Sequence, residues 1–294
     1  MAATSADQVP TTMRSIRPAA AAQASALVAA WTAIGYLLPP DPTGLLPHDA
    51  NLYLLIGIPL TLGFQVLVRR RPIRELWVRG APAFTLDRAG RIIAALLLLA
   101  PTVGLVQVLL ARQWVLAGWM AAAVAGALPA AWTLRRLRRD DLRTWGRWVL
   151  LISAIGVVIM SAMLVPQAAA AGWPGSSGLI LAAVLEAVVL YVPVQFLLEE
   201  VTFRGLIDTH VHDERARRQW PSALLVSALW GLWHLPVVAA TGQPLWLTVG
   251  QMLLVHGLIG VPMSLAWRRT GTLLVPVIAH AVINAVRNAL MVGL

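Results

Sequence analysis

The chain contains no cysteine and no lysine. Without cysteine there is no disulfide, no thiolate metal ligand and no thiol nucleophile. Without lysine there is no Schiff-base or lysine general-base chemistry, and all 23 basic residues are arginine. Charge is scarce, at 12% of residues. His-Glu-x-x-His and Gly-x-Gly-Asp do not occur, and Gly175-Ser176-Ser177-Gly178 falls in an expected loop with no serine-hydrolase context, so three competing intramembrane hydrolase designs fall away. No period of 20 to 50 residues repeats, and no inverted repeat argues for a transporter.

Apolar sequence is abundant, at 59% of 294 residues with a mean hydropathy of +0.73. Nine stretches are long enough, or nearly so, to cross about 30 Å of hydrocarbon as helices. They lie near 20–38, 51–68, 91–111, 114–134, 148–166, 178–198, 221–240, 245–267 and 272–294. The expected fold is an all-α polytopic transmembrane bundle of eight or nine helices whose partner is the lipid bilayer. The net charge of +10 does not form a nucleic-acid surface. Its arginines cluster between the apolar stretches, at 14–17, 69–74, 135–139, 215–218 and 268–269, and nine alternating helices put all of these groups on one side. The positive-inside rule then makes the N-terminus cytoplasmic and the C-terminus external. Only Arg112, in a short turn, lies on the other side. A signal peptide over the first stretch is the alternative reading there. The alanine- and arginine-rich composition points to a GC-rich prokaryotic genome and hence to a bacterial inner membrane.

Polar residues divide the chain unevenly. Residues 1–144 are nearly free of buried ionisable groups and read as packing and surround, with close helix approach expected over 117–131. Residues 75–90 are expected to form a short interfacial element. Residues 145–294 read as the catalytic core and hold Glu186, Glu199, Glu200, Arg204, His234, His256, His280, Asn284, Arg287 and Asn288. Ionisable groups at membrane depth are costly, which makes them functional candidates.

Adjacent residues on a helix point about 100° apart, so Glu199 and Glu200 face different partners. Glu200 and Arg204, one turn apart, form an expected ion pair, leaving Glu199 to the cavity. His280 and Asn284 share the same spacing and project together. One supported carboxylate, one isolated histidine at His234 and one His/Asn pair suit hydrolysis by an activated water. The carboxylate would be general base, and the His/Asn pair would donate to an oxyanion. Zinc is compatible with this set, through Glu199, His234 and His280, but no spacing demands it. His256 reads as packing, and Glu186 as a satisfied polar group. Arg287 and Asn288 either line the cavity or, for Arg287, reach the outer surface. His210, His212, Asp213 and Glu214 read as solvated loop residues.

Glu199-Glu200-x-x-x-Arg204, Trp230-x-x-x-His234 and His280-x-x-x-Asn284, in this order on successive segments, resemble the CPBP family of CAAX-protease and bacteriocin-processing (Abi) intramembrane proteases. The resemblance implies a helical core around a cytoplasm-facing cavity. It also implies Glu199 as base or ligand, His234 as its partner, Glu200 and Arg204 as supporting pair, and His280 with Asn284 on the oxyanion side. The family usually has Phe where this chain has Trp230. The implied activity is endopeptidase cleavage of a peptide or membrane-anchored protein; no residue ties the substrate to an isoprenoid. A non-catalytic scaffold or chaperone of the same fold and, less favoured, a proton-coupled transporter are the alternatives.

Overall fold

A computed structural model describes residues 15–41, 46–80, 82–137, 141–170, 172, 177–238 and 243–291. These form ten α-helices with no strand among the described residues: α1 Pro18–Gly35, α2 Ala50–Gly63, α3 Arg88–Leu110, α4 Trp114–Arg135, α5 Leu142–Ala170, α6 Ser177–Gln195, α7 Thr209–Val211, α8 Trp220–Trp233, α9 Leu245–Thr270 and α10 Leu274–Met291. A π-helical turn, Phe64–Val68, extends α2, and a second, Val201–Asp208, joins α6 to α7. Six helical stretches are long and apolar enough to cross a membrane: Ala50–Val68, α3, α4, α5, α9 and α10. The protein is an all-α, multi-pass membrane protein. The seventh expected crossing, 221–240, is shorter than its hydropathy implied. α8 ends at Trp233, where Leu235-Pro236 breaks it into a 3-10 turn, because proline cannot continue the helical hydrogen-bond ladder.

The arginine clusters converge on one end of the bundle. Arg17, Arg69, Arg71, Arg79 and Arg215 line a single polar cavity. Arg17 donates to the carbonyls of Thr209 and His212, Arg79 meets Glu214 at 3.1 Å, and Arg135 meets Asp87 at 2.6 Å. Short antiparallel bridges join Ile16 to His212 and Val78 to Thr272. The start of α1, the chain after α2, the start of α3, the end of α4 and the α9–α10 turn therefore share one face, as the alternating arginine pattern requires. At that turn Gly271 has φ +67°, a left-handed cap that suits glycine.

Two expectations for this face change. Residues 75–90 do not simply lie on a surface. Leu76 is fully buried, its carbonyl so close to Gly205 that a Cβ there would overlap it, and Trp77 donates to the Phe196 carbonyl at 2.6 Å. Leu76 and Trp77 dock beneath the Val201–Asp208 turn, while most of 83–89 stays exposed. His212 is not solvated but buried, with Nδ1 2.9 Å from the Ser222 hydroxyl.

Aromatic packing joins the two parts of the chain. Tyr53 of α2 stacks on Trp233 of α8 at 4.8 Å, Trp31 of α1 meets Trp233 edge-on at 4.9 Å, and the Tyr53 hydroxyl donates to the Trp233 carbonyl at 2.8 Å. α4 approaches α6 through Gly126, where a Cβ would overlap the carbonyl oxygen of Pro193. This is the close approach that small residues permit between membrane helices.

Two outcomes follow. Gly126→Ala should destabilise the protein by about 1–3 kcal/mol, the usual cost of overpacking, read as a lower midpoint in detergent thermal unfolding. His210, 2.8 Å from Gln23, has its pKa pushed down to about 4 by burial and by the charges of Arg69 and Arg17. Burial and Arg268 lower that of His212 too. Between about pH 6.5 and about pH 4 the unfolded state binds a proton at His210 that the folded state refuses, so stability should fall as pH drops through that window. His210→Gln should flatten the midpoint-versus-pH curve there and leave it unchanged above it.

Candidate functional site

Glu199 and Glu200 sit between the end of α6 and the π-helical turn Val201–Asp208, and both are buried. The widened turn is wholly buried, and such π segments recur at functional sites. Its far end is pinned by a buried bidentate pair. Asp208 accepts from Arg268 Nε at 2.8 Å and from Nη2 at 2.9 Å. Asp208 and Arg268 were invisible as partners in the sequence, where Arg268 read only as one of the basic loop residues.

The two glutamates face different partners, as their adjacency required. Glu200 Oε1 accepts from His280 Nδ1 at 2.8 Å, while Oε2 lies 3.5 Å from Arg204 Nε, an ion pair rather than a well-formed hydrogen bond. Arg204 is fully buried. Its guanidinium lies 4.3 Å from the Trp230 ring centroid and donates to Met263 sulfur at 3.3 Å. Gly260 leaves it room, since a Cβ there would come within 3.0 Å of Nη2.

Glu199 Oε2 accepts a hydrogen bond from Trp230 Nε1 at 3.0 Å and faces His234 Nε2 at 3.7 Å. His234 Nδ1 is 2.9 Å from the Trp230 carbonyl, which can only accept, so Nδ1 carries a proton and, in the neutral ring, Nε2 turns its lone pair toward Glu199. Two acceptors facing one another across 3.7 Å call for a shared proton, a water or a cation between them. Trp230 thus does more than the aromatic wall expected of it: it donates to the carboxylate, which phenylalanine cannot do. His256 packs its ring 4.6 Å from Trp230 and 4.3 Å from His234, with Nδ1 on the Met252 carbonyl.

Glu199, His234 and Asn284 line a cavity of about 600 Å3, together with Arg287 and Asn288. Arg287 donates to Asn288 Oδ1, and Asn288 donates to the Tyr191 hydroxyl at 2.6 Å. All six expected site residues are therefore gathered in one neighbourhood, but in two layers. Glu199, His234 and Asn284 border the cavity, while Glu200, Arg204 and His280 form the buried layer behind. Tyr53, Leu116, Trp119 and Met120 complete the wall, so residues before 145 build part of the site rather than only surrounding it. The side chain of Glu186 lies outside the described residues.

The expected zinc ligands Glu199, His234 and His280 can be compared with this geometry. Among the described residues no group of three or more His, Asp or Glu side chains is arranged to hold a metal ion. Glu199 and His234 converge, but His280 directs Nδ1 to Glu200. The donor set does not make a three-ligand zinc site, and the chemistry below runs through the carboxylate.

Residues 179–286 match the family model described as Rce1-like, type II CAAX prenyl endopeptidase, a match that spans all six site residues and is consistent with the CPBP resemblance. No curated protein and no solved structure matches the chain.

Removing one member of a buried charge cluster strands the others. Arg204→Gln should lower stability by about 3–5 kcal/mol, and Glu200→Gln in the same background should restore part of the loss. Denaturant unfolding of the two variants and their combination, treated as a double-mutant cycle, measures both.

Proposed function

We propose that this chain is an intramembrane endopeptidase that cleaves a membrane-associated protein or peptide with water activated by Glu199. The observation that carries the reading is the placement of Glu199 Oε2 at the wall of the cavity, held at 3.0 Å by Trp230 Nε1 and facing His234 Nε2 at 3.7 Å. A water between Glu199 and His234 donates one hydrogen to each. As it attacks the scissile carbonyl carbon, Glu199 takes its proton, and the carbonyl oxygen becomes an oxyanion. Asn284, which lines the same cavity, would donate to that oxygen. Collapse of the tetrahedral species breaks the C–N bond, and Glu199 returns the proton to the leaving amine. His280, behind Asn284 on α10, holds Glu200 and through it the ion pair with Arg204.

We read the arginine face as cytoplasmic, in a bacterial inner membrane, with nine crossings as the arrangement that the arginine spacing favours. Support comes from the convergence of the arginine clusters on one end of the bundle.

With a cleaved substrate in hand, Glu199→Gln should lower kcat/KM by about 10²–10⁴-fold, the range for loss of a general base. Trp230→Phe should keep the fold but lower kcat by about ten- to a hundredfold, because the carboxylate loses the donor that orients it. Full cleavage by Glu199→Gln would sink the mechanism, and an undiminished cellular phenotype in that variant would favour a scaffold. Elemental mass spectrometry of the purified protein addresses metal separately. Zinc lost in both Glu199→Gln and His234→Ala would move the activated water onto a metal, and its absence from wild type would leave the carboxylate mechanism standing.

A further inference from the structure

The wall of the Glu199 cavity reaches the surface at one end of the bundle. Among its lining residues the two exposed ones are Asn51, in the first turn of α2, and Met291, the last residue of α10. Leu116, in the first turn of α4, and Val237, just past α8, lie with them. Each of these ends is opposite to one fixed on the arginine face. α2 runs from Asn51 toward Arg69 and Arg71, and α4 runs from Leu116 to Arg135. α10 begins beside Thr272, which bridges to Val78, and ends at Met291. The rim lies on the face opposite the arginine clusters; the resemblance implied a cavity facing the cytoplasm.

Arg287 stands between the rim and the reacting group. It is three residues beyond Asn284 on α10, or about 4.5 Å further toward the rim at 1.5 Å per residue. Among the described lining residues it is the sole arginine; its charge is felt at Glu199, but no described carboxylate lies within ion-pair distance of it. Its orientation is fixed from one side, by Nε and Nη2 donating to Asn288, which is itself held by Tyr191. A guanidinium braced in this way in a mostly apolar cavity is built to receive an anion, and its fork geometry matches a carboxylate.

Resting on the reading of Glu199 as a hydrolytic centre, we propose that the substrate is a peptide that enters from the face opposite the arginine clusters and seats a carboxylate on Arg287. With the arginine face cytoplasmic, that entrance is extracytoplasmic. The carboxylate is either the peptide's C-terminus or an Asp or Glu side chain; both present the same chemistry to the guanidinium.

Because the chain has no cysteine, single-cysteine variants of the full-length protein report access without background. In intact cells a membrane-impermeant maleimide should label Asn51→Cys and Met291→Cys, should label Leu190→Cys on the cavity wall more slowly, and should leave Arg215→Cys unmodified until the cells are lysed. Labelling of Arg215→Cys in intact cells with Asn51→Cys and Met291→Cys protected overturns the entrance, as does reaction of Leu190→Cys only after lysis. Neither result depends on catalysis, so the entrance can fail while the hydrolytic reading stands, and the reverse. For the anchor, three apolar peptides of one sequence are titrated against the Glu199→Gln protein in detergent: one amidated and neutral, one with a free C-terminal carboxylate, one amidated with an internal Asp. At least one acidic peptide should bind about tenfold more tightly than the neutral one, as a charge-assisted contact provides. Arg287→Gln should abolish that preference and Arg287→Lys should retain part of it. Which acidic peptide is preferred identifies the source of the carboxylate. Equal binding of all three overturns the anchor.

Discussion

A guanidinium with no access to water lies at the centre of this molecule. Arg204 is fully buried, and everything within reach of it is arranged around its charge: the Glu200 carboxylate on one side, the face of the Trp230 ring at 4.3 Å, the sulfur of Met263 and the missing side chain of Gly260. Desolvating such an ion is expensive unless partners replace the lost water. Those partners come from the segment after α6, from α8, from α9 and, through His280, from α10. Four parts of the chain are thereby brought to one point. The same indole that covers Arg204 donates to Glu199, so the cavity carboxylate is oriented by a residue that also serves the structural charge.

Much of this could be read from residues alone, because the membrane simplifies the problem. Helices are the one open-ended structure whose backbone is satisfied within itself in hydrocarbon, so apolar length gave the elements and arginine spacing gave their sides. The side-chain periodicity of a helix separated Glu199 from Glu200 and paired Glu200 with Arg204. What escaped was whatever depends on contact between distant segments. Asp208 with Arg268, Leu76 under Gly205 and Tyr53 on Trp233 carry no local signal. Hydropathy also ran straight through His234-Leu235-Pro236, because Val237 to Ala240 are as apolar as the helix before them. The direction in which a cavity opens is likewise a property of the assembled bundle, not of any one segment.

Depth of burial separates two kinds of polar residue that look alike in the sequence. Glu200, Arg204 and His280 are held by one another through one hydrogen bond and one ion pair and border no cavity among those described, whereas Glu199, His234 and Asn284 line open space. The first set is a charged keystone, and the second a polar cavity wall supported by it. The N-terminal helices are part of that surface, since Tyr53 and Trp119 face the cavity while also packing against α8 and α6.

The early end of α8 bears on the lipid as well as on the chemistry. Its 14 residues rise about 21 Å, roughly 9 Å less than the hydrocarbon they would have to cross. Leu224, exposed on its outer side, marks a flank that meets acyl chains. Beyond Trp233 that flank offers a 3-10 turn in place of a helix. A bilayer meeting α8 along its length would have to thin beside it, which would carry headgroups and water closer to His234. The acyl-chain length of the surrounding membrane would thereby act on the cavity, short chains relieving the mismatch and long chains working against its geometry.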